Sequence, residues 1–470
     1  MSPYRPRPAD RRVLVVGGRD PRQPGTAATE RYLHEVTRRW AADGTRVTWA
    51  APRLPGRPAQ ETIAGVRVLR ATRPLGAVAR AMRDGDRFDV VLAAGGPIGA
   101  LPLVVGPSVP VVEVAHRTDR HAGTRSGQLL AGAVGRWSRT DRVTVALSPS
   151  ARHDLRRRLG LRGPIFVVPP GTTTPAPDGG TARAPVPTVV VEAELVPQEG
   201  LDVLLDALPA VVAALPDLRV EILGDGPDLA RLRRLVEARR LASSVTLHGP
   251  LVPELRDRWW RRAWLTACTG TREGRASRLL DAAAYGVPGV ALATAGARGF
   301  VRQGRTGEIV GSADRLSEAL VGQLVALTDD EVARGFAEAC RAWAARFTWD
   351  RTAALLAGVV EHQIRTARSG PTRRRSARPD IATLVRFPER GPVPVGALRP
   401  TDEVDVADEQ VSLLLNGCDE LDALGVLDRL GATGAELRLA GHDELLIGPR
   451  PLPPVLAGRA PHLPFVTDRS

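Results

Sequence analysis

Short apolar runs and amphipathic helical patterns alternate along most of the chain, and this alternation predicts an α/β fold. Residues 12–16 form an apolar run that is followed by a Gly- and Pro-rich loop. Apolar positions then recur at helical spacing over residues 27–43 and stop at Gly44, before a second apolar run at residues 46–50. A strand, a Gly-rich loop, a helix and a second strand form a right-handed unit with a ligand loop after the first strand. The pattern therefore predicts a Rossmann-like domain.

The same alternation continues and divides the chain into segments. Apolar runs as far as residue 168 extend the first domain, and a second series of strands and helices starts at residue 188. Residues 175–187 are rich in Pro, Gly and Ala and lack an apolar period, so they are predicted to link the two domains. The predicted segments are a disordered arm at 1–11, a first Rossmann-like domain at 12–174, the linker at 175–187, a second Rossmann-like domain at 188–366, an Arg- and Pro-rich linker at 367–401, and a small α+β appendix at 402–470.

Residues 272–291 are the stretch with the clearest chemical pattern. Glu273 and Gly274 form a turn, an Ala-rich apolar helix follows, and Gly286 ends that helix before the next strand. Asp281 lies eight residues after Glu273. Unpaired backbone N–H groups at such a helix start suit a phosphate or a sugar oxygen. An ordinary N-cap followed by a buried helix is the alternative.

This stretch resembles the Glu-x7-Glu element of the family 4 nucleotide-sugar glycosyltransferases, with Asp281 in place of the second Glu. The resemblance extends over residues 12–366 and implies a GT-B fold, in which two Rossmann-like domains face a cleft. It also implies that Glu273 contacts the donor sugar and that Asp281 holds the ribose hydroxyls. The residues that follow Glu273 would contact the diphosphate through their backbone: Arg275, Ala276 and Ser277.

Two further positions follow from the resemblance. Family members often carry paired Gly in the first loop near the donor phosphates, and Gly25 followed by Thr26 matches this in part. His116 follows the strand at residues 109–114, where relatives often place a His against the donor sugar. A His at a strand end that is bonded to a backbone carbonyl is an equally good interpretation of His116.

The chain departs from the family at the diphosphate clamp. Relatives carry an Arg and then a Lys after the first strand of the second domain, whereas this chain has Glu194 and Glu199. At an effective dielectric constant near 20, a unit charge about 4 Å from a phosphate contributes roughly 4 kcal/mol, so two reversals cost on the order of 10 kcal/mol before screening. Arg272, Arg275 and Arg278 could restore the positive charge or pair with the two acids and fill the site. Glu194 and Glu199 holding Mg²⁺ against the diphosphate is a third option.

Composition and charge add expectations about location and partners. The chain has 470 residues and a formal net charge of +13, but residues 401–470 carry −8 and residues 1–400 carry +21. A basic body suits an anionic membrane surface, and the acidic appendix could fold back on it or recruit a protein partner. Aromatic residues are 4% of the chain, and the sequence has neither an RNA-recognition aromatic motif nor a zinc pattern, so we do not expect nucleic acid as a partner. No run of about 18 apolar residues and no leader pattern occur, so we expect a cytoplasmic protein, or one peripheral to the inner face of the membrane.

Two hypotheses for function follow from the sequence. The first is a retaining hexosyltransferase that uses a nucleotide-diphosphate sugar as donor, with an unknown acceptor and no required cofactor or metal. The second is a catalytically degenerate relative that keeps the fold and serves as a binding or scaffold protein. The altered clamp at Glu194 and Glu199 is the feature that separates them.

Overall fold

Two mainly parallel sheets, each covered by helices, form the body of the protein. The structure is a computed structural model that describes residues 11–22, 28–94, 101–106, 108–115, 143–148, 151–152, 155, 161, 164–175, 183–270, 276–368, 382–389, 398, 402–407, 410–416, 418 and 420–439. The two predicted Rossmann-like domains are present. Within the described residues, no helix has the length and hydropathy needed to cross a bilayer.

The first sheet has eight strands in the order β3-β4-β2-β1-β5-β6-β7-β8, and all neighbours are parallel except β3 and β4. Its strands are β1 (Arg12–Gly17), β2 (Arg46–Pro52), β3 (Gln60–Ile63), β4 (Val66–Ala71), β5 (Val90–Ala94), β6 (Val111–Ala115), β7 (Val143–Ala146) and β8 (Ile165–Val167). The described helices that accompany them are α1 (Ala28–Ala42), α2 (Pro74–Arg83) and α3 (Leu101–Val105).

Strand β1 shows why these sequence runs are continuously apolar, since its side chains are buried on both faces of the sheet. Val13 and Val15 pack in one core cluster and Leu14 and Val16 in another, on opposite faces of the sheet. The strand order reverses between β1 and β5, which makes this point the topological switch of the first domain.

The second sheet consists of two parallel three-stranded ladders, β11-β10-β9 and β12-β13-β14, joined by a bridge between Val189 and Leu265. Its strands are β9 (Thr188–Glu192), β10 (Arg219–Leu223), β11 (Val245–Gly249), β12 (Thr266–Cys268), β13 (Gly289–Leu292) and β14 (Gly307–Val310). Its helices are α4 (Leu201–Ala214), α5 (Leu229–Ala238), α6 (Pro253–Arg262), α7 (Arg278–Ala284), α8 (Ala295–Phe300), α9 (Leu316–Ala326) and α10 (Asp330–Ala344).

Helix α11 (Trp349–Arg368) returns to the first domain. The Trp40 indole in α1 donates to the Ala353 carbonyl oxygen at 3.0 Å, and Arg368 pairs with Asp89 at 2.6 Å. The predicted boundary at residue 366 grouped this helix with the second domain. Its packing instead places it against α1 of the first domain, and its apolar residues join a core cluster that also contains residues of α7 and β13.

A separate antiparallel sheet follows α11, in the order β16-β17-β15-β18, with helix α12 (Glu420–Leu430) against it. Its strands are β15 (Ala382–Pro388), β16 (Glu403–Ala407), β17 (Gln410–Asn416) and β18 (Glu436–Leu439). The prediction that residues 367–401 form only a linker is wrong for β15, which is central in this sheet. The predicted α+β character holds in this part of the appendix, and residues 440–470 lie outside the described residues.

Candidate functional site

The candidate site lies where the switch points of the two sheets face each other. The order of the second sheet reverses between β9 and β12, so the loops after Glu192 and Cys268 flank a crevice at the carboxyl ends of these strands. Ligands of doubly wound sheets bind in such crevices. The loop after β1 comes close from the other side, because Arg19 pairs with Glu194 at 3.6 Å.

The loop after β9 is held by backbone contacts. It contains a 3-10 turn at Pro197–Glu199 and then Gly200, which has a φ of +63°. A Cβ atom at Gly200 would lie 2.5 Å from the carbonyl oxygen of Thr269, so a side chain has no room there. The Thr269 hydroxyl in turn donates to the Gly200 carbonyl oxygen at 2.7 Å. These contacts fix the loops of β9 and β12 against each other.

Glu192 is the centre of the first ion-pair group in the crevice. It accepts from Arg256 in α6 at 2.6 Å and from the Trp260 indole at 3.2 Å, and it pairs with Arg278 in α7 at 2.7 Å. Burial disfavours the charged carboxylate, but Arg278 and Arg256 outweigh that effect and lower the pKa of Glu192 to about 2. Glu192 is therefore ionised at neutral pH.

Asp281 in α7 is the centre of the second group and is only 6% exposed. It accepts from Arg31 of α1 at 2.8 Å and from the Thr172 hydroxyl at 2.9 Å. Arg256 lies 3.9 Å away and connects this group to Glu192. The charge of Asp281 raises the pKa of Arg31. Asp281 therefore contacts side chains from both domains. Its contact with the donor ribose stays a prediction.

The predicted acids of the loop have different surroundings. Glu194 pairs with Arg19 of the first domain, whereas Glu199 is 6% exposed and lines a small cavity with Glu192 and Arg278. The ion pair of Arg278 is with Glu192, which corrects the expected pairing of Arg278 with Glu194 or Glu199. Charge compensation in this crevice thus includes Glu192, which the sequence interpretation did not name, and the expected pairing with Arg275 lies outside the described residues.

Glu30 in α1 places a further acid beside this contact between domains. Its side chain is 5% exposed, and burial raises its pKa above the usual value. The positive charge of Arg19 opposes that shift, and the negative charge of Glu194 adds to it. Arg19 thus interacts with an acid of each domain.

Several predicted site residues lie outside the described residues, so the structure says nothing about their placement: Gly25, His116, Glu273 and Arg275. Ala276 and Ser277 are described. Ala276 is 1% exposed, and Ser277 occupies the N-cap position of α7, where its side chain makes no capping hydrogen bond. In the described part of the chain, no three His, Cys, Asp or Glu side chains are grouped as metal ligands.

Sequence reasoning missed four charged residues of the crevice: Arg19, Arg31, Glu192 and Arg256. One signal for Glu192 was available, since it is the last residue of an otherwise apolar strand at the switch point. The three arginines belong to different elements, and their convergence depends on how the domains pack.

Family comparisons assign the two domains. A model described as Glycosyltransferase Family 4 matches residues 29–175, and one described as Glycosyl transferases group 1 matches residues 186–330. Each model covers one of the two Rossmann-like domains. The chain belongs to the family 4, group 1 glycosyltransferases, which confirms the resemblance found in the sequence.

Curated relatives match parts of the chain. An exopolysaccharide phosphotransferase of Streptomyces coelicolor is 30% identical over 277 residues, which are 58% of this chain and 28% of the relative. A GDP-mannose-dependent alpha-(1-6)-phosphatidylinositol monomannoside mannosyltransferase of Mycobacterium tuberculosis is 33% identical over 239 residues, which are 46% of this chain and 61% of the relative. The chain thus spans less than two thirds of each of these relatives.

Solved structures confirm the GT-B fold class. Sucrose-phosphate synthase of Thermosynechococcus elongatus aligns with a TM-score of 0.65 at 18% identity, over 75% of this chain and 99% of that chain. The Anabaena protein HepE in complex with UDP and glucose aligns with a TM-score of 0.58 at 17% identity, over 75% of this chain and 100% of that chain. At these identities the likeness concerns the fold.

Proposed function

We propose that this protein is a glycosyltransferase that moves a hexose from a nucleotide-diphosphate sugar to an acceptor with retention at the sugar carbon. The observation that carries the proposal is the crevice between the two switch points, which contains four arginines from both domains: Arg19, Arg31, Arg256 and Arg278. Arginine suits phosphate because its planar group donates two parallel hydrogen bonds. The names of the relatives support a nucleotide sugar as donor.

Binding of the diphosphate requires some of these arginines to exchange partners. Arg278 and Arg256 both contact Glu192, which is 19% exposed at its side chain and cannot lose its charge at neutral pH. A diphosphate brings more negative charge than one carboxylate and can share the two guanidinium groups with it. The donor therefore enters a site whose cations are already positioned by an internal acid.

The roles given to the remaining residues follow the family resemblance. In this proposal Glu273 and His116 contact the sugar, and Asp281 contacts the ribose. Gly25 and the backbone of residues 275–277 approach the diphosphate. Closure of the crevice would exclude water from the transferred sugar. No metal is needed for these contacts, although Glu194 and Glu199 could hold Mg²⁺ against the diphosphate.

The relatives also bear on the acceptor side. One relative is named as acting on a phosphatidylinositol mannoside, which is a lipid. The charge of +21 on residues 1–400 suits an anionic membrane surface. We propose a cytoplasmic protein that reaches its acceptor at the inner face of the membrane, where its acidic C-terminal sheet is available to a protein partner.

The second candidate, a degenerate binding or scaffold protein, is favoured by one specific observation. Asp281 is buried, and its carboxylate oxygens accept from Arg31 and Thr172. These contacts use the acid that the donor ribose would need. In this candidate the ion pairs stabilise the closed arrangement of the two domains and leave no room for a nucleotide.

A calorimetric titration separates the candidates. The full chain is titrated with GDP-mannose and with UDP-glucose, each with and without Mg²⁺, and release of nucleotide is then followed with a lipid acceptor mixture. Micromolar binding of one donor together with nucleotide release supports the transferase. If neither sugar nucleotide binds at the highest concentration tested, the result supports the scaffold protein. Arg278→Gln should weaken donor binding, and Arg334→Gln, on the outer surface of α10, is the matched control.

A further inference from the structure

A second cavity adjoins the crevice at Thr172, at the junction where the chain passes between the domains. Its volume is about 670 Å³, within the range of small-molecule sites. Its walls include Thr174 and Pro175 at the start of the linker, Arg183 near the end of the linker, and Ala344 and Ala345 just before α11. The cavity therefore touches both segments that connect the two domains.

The charged residues described at the wall of this cavity are all arginines. Three arginines contribute to its wall, and none of the described lining residues is an acid: Arg183, Arg261 and Arg341. Arg261 is neutralised by Asp257 at 2.6 Å. Arg183 and Arg341 form no ion pair with any carboxylate in the part of the chain that the structure describes. Two cations at one wall without an acid favour an anionic ligand.

Arg183 is held in place by contacts other than an ion pair, and the charge of Asp330 acts on it only from beyond ion-pair distance. Its guanidinium lies over the Trp264 ring at 3.6 Å from the ring centroid, and both terminal nitrogens donate to the Leu327 carbonyl oxygen at 3.1 and 3.0 Å. The Trp264 indole donates to the Ala184 carbonyl oxygen at 2.8 Å and so fixes the ring. Burial lowers the pKa of Arg183 to about 10, which leaves it charged at neutral pH. An ordered cation costs a ligand little entropy on binding.

Arg341 approaches from α10 on another side. Its guanidinium carbon lies 3.0 Å from the position of a Cβ atom on Gly286, a residue with a φ of +83° at the end of α7. A side chain at Gly286 would therefore displace Arg341 from the cavity. Between the cations the wall is apolar and consists of small residues from α7 and α10, which admit the body of an organic molecule: Ala284, Ala337 and Ala344.

We propose that this cavity binds a small organic phosphate, with the phosphate between Arg183 and Arg341 and the organic part against the alanine wall. Both cations donate to the phosphate through charge-assisted hydrogen bonds, and the wall contributes apolar contact. The ligand class is distinct from inorganic phosphate, which lacks the apolar part, and from a neutral aromatic, which lacks the charge. This site does not depend on the transferase activity proposed above.

Calorimetry on the full chain with phenyl phosphate as probe tests the site. We expect one saturable site for phenyl phosphate, and weaker binding of inorganic phosphate and of phenol. Arg183→Gln and Arg341→Gln should each weaken phenyl phosphate binding by about tenfold or more, the loss expected for one charge-assisted hydrogen bond. Because Arg341 is exposed on a helix, its variant should fold normally, which the thermal unfolding midpoint checks.

Two controls make the result specific. Arg334→Gln removes a charge from the same helix outside the cavity, and Arg278→Gln removes one from the crevice. Both should leave phenyl phosphate affinity unchanged. The proposal is overturned if the native chain shows no saturable binding, if the double variant of Arg183 and Arg341 binds as tightly as the native chain, or if Arg278→Gln removes binding to the same extent.

Discussion

Replacement of Glu192 by Gln tests the ion-pair group of the crevice. Depression of its pKa from 4.5 to about 2 means that the folded protein holds the ionised carboxylate more strongly than the unfolded chain. At about 1.4 kcal/mol per pKa unit, this stabilises the fold by about 3 kcal/mol at neutral pH. The Gln amide oxygen still accepts hydrogen bonds, so we expect the variant to lose about 2 kcal/mol of unfolding free energy.

The effect of Glu192→Gln on the unfolding free energy should depend on pH in a definite direction. Because the pKa is lower in the folded state, the contribution of Glu192 is complete above pH 4.5 and is lost as the pH falls toward 2. The difference in unfolding free energy between native protein and Glu192→Gln should therefore be largest at pH 7 and shrink below about pH 4.5. Urea unfolding followed by tryptophan fluorescence at several pH values measures it.

A matched control is available on α9. Glu318 also contacts an arginine, Arg315 at 3.5 Å, but its side chain is 75% exposed. Glu318→Gln should change the unfolding free energy by less than about 0.5 kcal/mol at any pH. The reasoning fails if Glu192→Gln matches this control at pH 7, or if its effect stays constant down to pH 3.

Three further predictions concern function. Glu273→Ala should lower turnover far more than the thermal unfolding midpoint, and an unchanged rate would end its assigned role. If the native chain has no measurable donor affinity, the double change Glu194→Arg and Glu199→Lys should create diphosphate binding that calorimetry can measure. If the native chain does bind a donor and the double change weakens that binding, both acids contribute to the site. Anionic vesicles should bind the full chain with an affinity that falls as salt rises, and salt-independent binding would contradict a surface interaction.

The body of the fold was predictable because its strands are buried on both faces. Such strands give short, continuous apolar runs, as in β1, and their spacing with helices defines the Rossmann-like order. Strand β15 was not predicted because its pattern of buried and exposed side chains depends on the strands that pair with it. Thr383 pairs with Leu415 of β17, more than thirty residues along the chain, and with Leu439 of β18.

The site was predictable only where one stretch of sequence carries it. Glu194 and Glu199 could be singled out because they stand in one loop where relatives carry cations, and their role in the site stays a prediction. Their partners were not predictable, because Arg19 belongs to the other domain and its contact with Glu194 depends on the packing of two separate sheets. The pairing of Arg278 with Glu192 was missed for a different reason, since both residues belong to the second domain but lie on separate elements, α7 and β9.

The return of α11 to the first domain decides which half of the molecule carries the C-terminal sheet. Arg368, the last residue of α11, is bound to Asp89 just before β5, and the chain continues from there toward β15. The acidic sheet is therefore tethered to the first domain, although it follows the second in sequence. A change in the relative position of the two Rossmann-like domains would therefore carry the C-terminal sheet with the first domain.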